Sequence, residues 1–312
     1  MKTFTGIIGS LFVLSFYILS SSATIETEKT EKYLMNAKNK QPYIYEILNR
    51  NFTEQDMNFH SALLEKKGAV WNLQEVKDGI HFFRNTRKKQ FLVHDGSKSL
   101  IYYSNGSVKG LNDIDLGDTA KLRKNPDQFL LEILGNEAVD YKFVNCEYEI
   151  SCTDDNPVRQ LDYITYRYVK VLDNRLILDN TNHVRITIGN NGQISRFEAI
   201  VPKLKKHKMI KRELNASKIS KYLYKHLNSY KYTHTPSDEK IDWKEIKICD
   251  GTDSYIASNH GTKKYLIPHV TFFTKNIFAN GDSTKSIIHL TMNAEEIPNI
   301  GKDDIIEYEK TK

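Results

Sequence analysis

Apolar and polar positions change their rhythm several times along this chain. Residues 4–19 form one unbroken apolar-rich run, with Ile7, Ile8, Leu11, Phe12, Val13 and Leu14 at its centre. Lys2 precedes it, and Ser20 to Ala23 follow. A positive start, an apolar centre and small residues at Ser21 and Ala23 make the three-part pattern of a secretory signal peptide, with cleavage expected after Ala23. The competing reading is an uncleaved anchor, for which a run of 16 residues is short. No later stretch reaches spanning length, and no cysteine follows the run to carry a lipid. Membrane contact is therefore expected only through an uncleaved signal segment, if at all.

Residues 24–50 are polar and read as a flexible lead-in, with a short buried piece at Tyr43 to Leu48. Thr53 and Asp56 have capping-box spacing ahead of Met57, Leu63 and Leu64, which predicts a helix over 53–67 ended by Gly68. Short aromatic and β-branched runs follow at 69–73, 80–83, 90–93 and 100–103. Asp78-Gly79, Asp95-Gly96 and Asn105-Gly106 punctuate them, as in a meander of hairpins. The order then restarts. Asn125 suits an N-cap, Pro126 the first helical position and Gly135 the stop, and strands are predicted at about 141–150, 161–172, 183–189 and 193–201. A third start follows. Ile219, Leu223 and Leu227 predict an amphipathic helix over 215–228, with strands at about 243–249, 253–258, 264–274 and 285–292.

One helix followed by several strands, three times over, predicts an α+β fold. Its units are expected to be tandem small modules, each a helix packed on an antiparallel β-meander sheet. The expected layout is a signal peptide at 1–23, the lead-in at 24–50, modules at 51–120, 121–202 and 203–292, and a polar tail at 293–312. No residue-level internal repeat accompanies this order.

Composition narrows the class. Charged residues are 27% and hydrophobic residues 39%, values of a folded chain. The net charge is +6, and removal of the signal leaves +5. That excess is mild, so no nucleic-acid partner is expected. Six basic residues cluster at Lys203, Lys205, Lys206, Lys208, Lys211 and Arg212. They read either as a contact for a polyanion or charged surface, as a dibasic cleavage point at Lys211-Arg212, or as a solvated linker. The last is favoured because no aromatic residue is interleaved for stacking.

Three cysteines occur, at Cys146, Cys152 and Cys249. In an oxidising compartment Cys146 and Cys152 are the disulfide candidate, provided the chain bends between them. Sequons at Asn51, Asn105 and Asn215 matter only in a eukaryotic host. The histidines are scattered and none forms a metal-ligand spacing, so no metal and no cofactor is expected. His269 and His289 fall in strands read as neighbours. With Asp282 they give the one dispersed set on which a secreted hydrolase or lyase would be built.

One stretch resembles a known family. Tyr166-Arg-Tyr168, His183-Val-Arg-Ile-Thr-Ile188 and Gly189-Asn-Asn-Gly-Gln-Ile194 resemble the PepSY/FTP-type module. Tyr265-Leu-Ile-Pro-His-Val270 resembles a late strand of such modules and of YycH/YycI-like extracytoplasmic regulatory proteins, with Val270 where an aromatic often stands. The resemblance covers about 125–292 and implies cystatin-like α+β modules without catalytic residues. It also implies a peptidase inhibitor or chaperone, or a modulator of a protein partner. The expectation is a secreted, non-enzymatic binding protein with a protein partner; the alternatives are the dispersed-site hydrolase and the polyanion binder.

Overall fold

The computed structural model describes residues 42–111, 122–153, 156–210, 243–278 and 283–291. The signal peptide and most of the lead-in, the predicted helix at 215–228, and the polar tail lie outside them. In chain order the elements are β1 (Tyr43–Leu48), α1 (Glu54–Lys66), β2 (Leu73–Lys77), β3 (Ile80–Asn85), β4 (Gln90–Asp95), β5 (Leu100–Asn105) and α2 (Lys124–Leu134). Then come β6 (Tyr141–Thr153), β7 (Asn156–Leu172), β8 (Arg175–Ile177), β9 (His183–Ile188), β10 (Ile194–Ile200) and β11 (Lys203–Met209). The last are β12 (Trp243–His260), β13 (Lys263–Phe278) and β14 (Ser283–Thr291). No helix among the described residues is long and apolar enough to cross a membrane.

Among the described residues, fourteen strands against two α-helices overturn the expected tandem helix-on-sheet modules. The reason is strand pairing between stretches read as separate modules. β5 hydrogen-bonds to β10, with Tyr103 opposite Phe197, so the first two meanders are parts of one sheet. Two further boundaries change. The stretches read as separate strands at 243–249 and 253–258 are one strand, β12, and the basic run read as a linker is strand β11.

The chain divides into two compact units. The first is formed by Tyr45–His207 with Tyr255–Leu266. Its main sheet is antiparallel in the order β6-β7-β9-β10-β5-β4-β3-β2. Strict alternation sorts its residues between two faces. Phe83, Leu92, Tyr103, Phe197, Ile186 and Tyr166 stand in register across six strands, each 6% exposed or less. A slip of one residue in any strand would turn its apolar set to the opposite face, so the row specifies the register.

Both helices lie on that apolar face. α1 supplies Met57 and Leu64, and α2 supplies Phe129, Leu130 and Ile133, to the same core. Phe129 meets Phe197 edge-on at 5.3 Å. Each such side chain contributes about 1.5–3 kcal/mol through burial. The Thr53/Asp56 capping box forms as expected: Asp56 N–H donates to Thr53 Oγ1 at 3.1 Å, and Thr53 N–H to Asp56 Oδ2 at 2.9 Å. The start of α2 differs from expectation. Arg123 is its N-cap without a side-chain bond, and Asn125 lies inside the helix. Gly135 ends it at φ 56°, and Asp78-Gly79 turns β2 into β3 with φ 52° and 74°, the hairpin turn that sequence predicts.

The described residues of the second unit are 42–44, 208–210, 243–254, 267–278 and 283–291. Its described pairing is β13 with β14, antiparallel from His269 opposite Thr291 to Ile277 opposite Ser283.

Candidate functional site

The alternation that buries one face of the first unit's sheet sets a different population on the other. Thr165, Thr187, Arg196, Ser104, Phe91 and Arg84 form one cross-strand row there. Arg167, Arg185, Glu198, Tyr102, Val93 and Phe82 form the next. The face is thus divided along the strand order. Toward β6, β7, β9 and β10 it is charged; toward β5, β4 and β3 Phe82, Phe91, Val93 and Tyr102 gather beside Ser104 and the Arg84–Glu75 ion pair at 3.1 Å.

The charged half holds a cleft of about 420 Å³ lined by Tyr102, Glu147, Glu149, Arg185, Arg196 and Glu198, among others. Arg185 donates to Glu147 Oε2 at 2.7 Å, and Arg196 lies 3.6 Å from Glu149. His183 Nε2 lies 3.0 Å from Glu198 Oε1, while its Nδ1 faces the Asn180 carbonyl at 3.1 Å. The hydrogen bond with His183 holds the Glu198 carboxyl below its ordinary range, helped by the charges of His183 and Arg185 and opposed by desolvation. Thr165 and Thr187 share a hydrogen bond at 2.8 Å across β7 and β9. Arg185, Arg196 and His183 are each set against a carboxylate, while Arg167, opposite Arg185, donates to Asn180 Oδ1 at 3.2 Å.

The apolar group exposes Phe91 at 36%, with Phe82, Val93 and Tyr102 half-buried around it, and Leu73 of β2 exposed at 42%. Such a surface keeps apolar area in water beside a preorganised set of charges.

The residues singled out from sequence are scattered. Cys146 and Cys152 both lie on β6, six positions apart. An extended strand rises ~3.3 Å per residue, whereas disulfide-linked Cα atoms lie ~5.5 Å apart. A bridge between them would require β6 to give up its extended form there. Burial pushes the Cys146 thiol up from its ordinary value, away from a reactive thiolate. Lys203, Lys205, Lys206 and Lys208 are exposed on β11, and Lys211 and Arg212 lie outside the described residues. Strand alternation sends Lys203 and Lys205 to one face and Lys206 and Lys208 to the other, so the four do not form one patch.

In the second unit, β13 and β14 are neighbours, as the sequence reading supposed, and bring His269 and His289 to a ring separation of 6.4 Å. His289 Nδ1 shares a hydrogen bond with Thr271 Oγ1 at 2.7 Å, and Thr271 Oγ1 another with Ser254 Oγ at 2.6 Å. Ser254 and Thr271 are fully buried. A hydroxyl nucleophile must meet substrate, so this relay is built to hold strands together. Asp282 lies outside the described residues. Among the described residues, no three His, Cys, Asp or Glu side chains are grouped to hold a metal ion.

Sequence reasoning passed over the most unusual polar contact. His60 of α1 and His94 of β4 are 6% and 0% exposed. His60 Nδ1 is 2.9 Å from His94 Nε2. One of the two nitrogens donates to the other, so the contact holds a single proton. Phe52 and Phe83 stand edge-on to His94 at 5.3 and 6.2 Å. Burial, above all, lowers His60 to about 4 and His94 to about 3. The available signal was position: His94 follows Leu92 at strand spacing, and His60 lies between Met57 and Leu64 at helical spacing.

No family model matches this chain, and no curated protein matches it. Among solved structures, it is similar to an uncharacterized protein from Eubacterium rectale ATCC 33656, determined at 1.45 Å resolution. The two are 10% identical, the alignment covers 80% of this chain and 82% of that one, and the TM-score is 0.47.

Proposed function

We propose that this chain is an exported, non-enzymatic binding protein that engages a protein partner through the outer face of the first unit's sheet. The observation that carries this reading is an apolar group on that face, Phe82, Phe91, Val93 and Tyr102, flanked by paired charges, Glu147–Arg185 and Glu198–His183 toward β6 and Arg84–Glu75 toward β2. Phe91 and its neighbours supply contact area, and the Glu147–Arg185 and Glu198–His183 pairs supply orientation. Desolvated anchors carry most of an interface's energy, and a charged surround sets partner choice and association rate. The signal-peptide pattern over residues 1–23 supports an extracytoplasmic setting. The resemblance of Tyr166 to Ile194 to the PepSY/FTP-type module supports an inhibitor or modulator over a catalyst.

A photo-crosslinking residue placed at Phe91 or Arg196 tests the proposal. Leu131 of α2, 55% exposed, serves as the control. In extracts of the secreting cell's envelope or medium, the two face positions should give one discrete adduct that Leu131 does not. Equal adducts from all three positions, or none from the face, would overturn the reading.

A further inference from the structure

A second concave site lies in the first unit, between the end of α1, the first turns of α2, the end of β5 and the turn before β10. Its volume is about 370 Å³. Leu64, Tyr103, Val108 and Phe129, all 5% exposed or less, form an apolar floor. Three exposed carboxamides, Asn125, Gln128 and Gln193, stand at its rim. The remaining polar groups are engaged. Lys67 Nζ is 2.6 Å from Glu132 and 5.7 Å from the Phe129 ring centre, and Asn105 Oδ1 accepts from Ser107 N–H at 3.1 Å.

We infer that this cavity binds a neutral sugar of one or two pyranose rings. Each carboxamide both donates and accepts hydrogen bonds, as each sugar hydroxyl does. The rim groups are lightly committed: Asn125 Nδ2 reaches the Gly192 carbonyl only at 3.5 Å, and Gln128 uses Nε2 on Glu132. Ile194, half-buried in the cavity wall, leaves apolar area for the C–H face of a pyranose. Neither an anion nor a cation is favoured, because Lys67 and Glu132 neutralise one another. A volume near 370 Å³ is at the small end of ligand sites (~300–1,000 Å³), which suits a compact ring over an extended chain. Gly192 keeps the rim open. Its φ is +67°, and a Cβ there would fall 2.4 Å from Asn125 Nδ2. This site is separate from the outer sheet face, and the inference does not depend on that reading.

Saturation-transfer NMR on the full chain tests it, with methyl β-glucoside, methyl N-acetyl-β-glucosaminide and, as the peptide control, N-acetyl-alanyl-alaninamide. At least one sugar should show saturable transfer with a millimolar Kd. Asn125→Leu and Gln193→Leu, at exposed positions, should weaken it tenfold or more while leaving the thermal midpoint in place. Absence of transfer to either sugar, equal binding by both variants, or tighter binding of the dipeptide would each overturn the inference.

Discussion

His60 Nδ1 lies 2.9 Å from His94 Nε2, with the two rings inclined by only 8°. The contact ties α1 to the middle of the sheet, in surroundings made of Phe52, Phe83 and the backbone of α2. Burial holds both imidazoles neutral at neutral pH, and His94 Nδ1 has no hydrogen-bond partner among the described residues. Asp56 on α1, Arg50 before it and His81 opposite His94 on β3 are the other titratable or charged groups that act on the pair.

Acid should therefore unfold the first unit early. A histidine with a lowered folded-state pKa takes up protons first in the unfolded chain, so its contribution is complete above about 6.5 and shrinks as pH falls toward the folded values. Those values are about 4 for His60 and about 3 for His94. Either histidine alone predicts a loss of about 2 kcal/mol by pH 5. Urea unfolding between pH 7.5 and 5, followed by Trp71 fluorescence, measures it. Trp71 packs 6.2 Å from Phe83, which itself meets His94. His60→Leu with His94→Leu should flatten the pH dependence, whereas either single change at pH 7.5 should cost about 1–3 kcal/mol by leaving one partner unsatisfied.

Phe197 lies at the centre of the buried row and against Phe129. Phe197→Ala should destabilise the first unit by about 3–5 kcal/mol, since the transfer and cavity terms add. Denaturant midpoints measured at constant slope would show it.

The capping box predicts a smaller effect. Thr53→Ala removes the acceptor for the Asp56 amide and should cost about 1 kcal/mol. The same unfolding measurement reads this loss, and amide hydrogen exchange should show it concentrated in the first turn of α1.

Reversing the outer-face charges should separate binding from folding. Arg185 and Glu147 are about two-fifths exposed, so Arg185→Glu with Arg196→Glu should change stability by no more than about 1 kcal/mol. The crosslinked adduct from Phe91 should nevertheless be lost. A large fall in thermal midpoint would show that the pairs hold the sheet together rather than orient a partner.

Gly189 packs against backbone. A Cβ at this position would lie 2.4 Å from the Lys109 carbonyl oxygen, so Gly189→Ala should cost about 1–3 kcal/mol through displacement of the 108–110 segment. Thermal unfolding of the purified variant checks it.

Much of the local structure was legible in the residues. Helix α1 carries its start in Thr53 and Asp56, and helix α2 its stop in Gly135. The β2–β3 hairpin carries its turn in Asp78-Gly79, and Val184 to Ile188 announce a strand by alternation. Each of these is decided by contacts within a few residues. The strand β11 was not legible, because seven residues with four lysines resemble a solvated linker until a strand pairs with them. The β12 strand was not legible either, because Asp250-Gly251 reads as a turn when taken alone.

The candidate face was half visible. Alternation in Val184 to Ile188 placed Arg185 on a wet surface. Its assembly with Glu147, Tyr102 and Phe91 was not visible, because it requires β5 beside β10 and β6 beside β7. The sequence by itself determined both described helices, most of the strands and the wet and dry sides of β9. Only the tertiary structure decided that two meanders share one sheet, that His60 meets His94, and that charged pairs and an apolar group lie on one face. The physical reason is sequence distance. Tyr103 and Phe197 pair because their strands bury one common core, and nothing within a few residues of either encodes that partner.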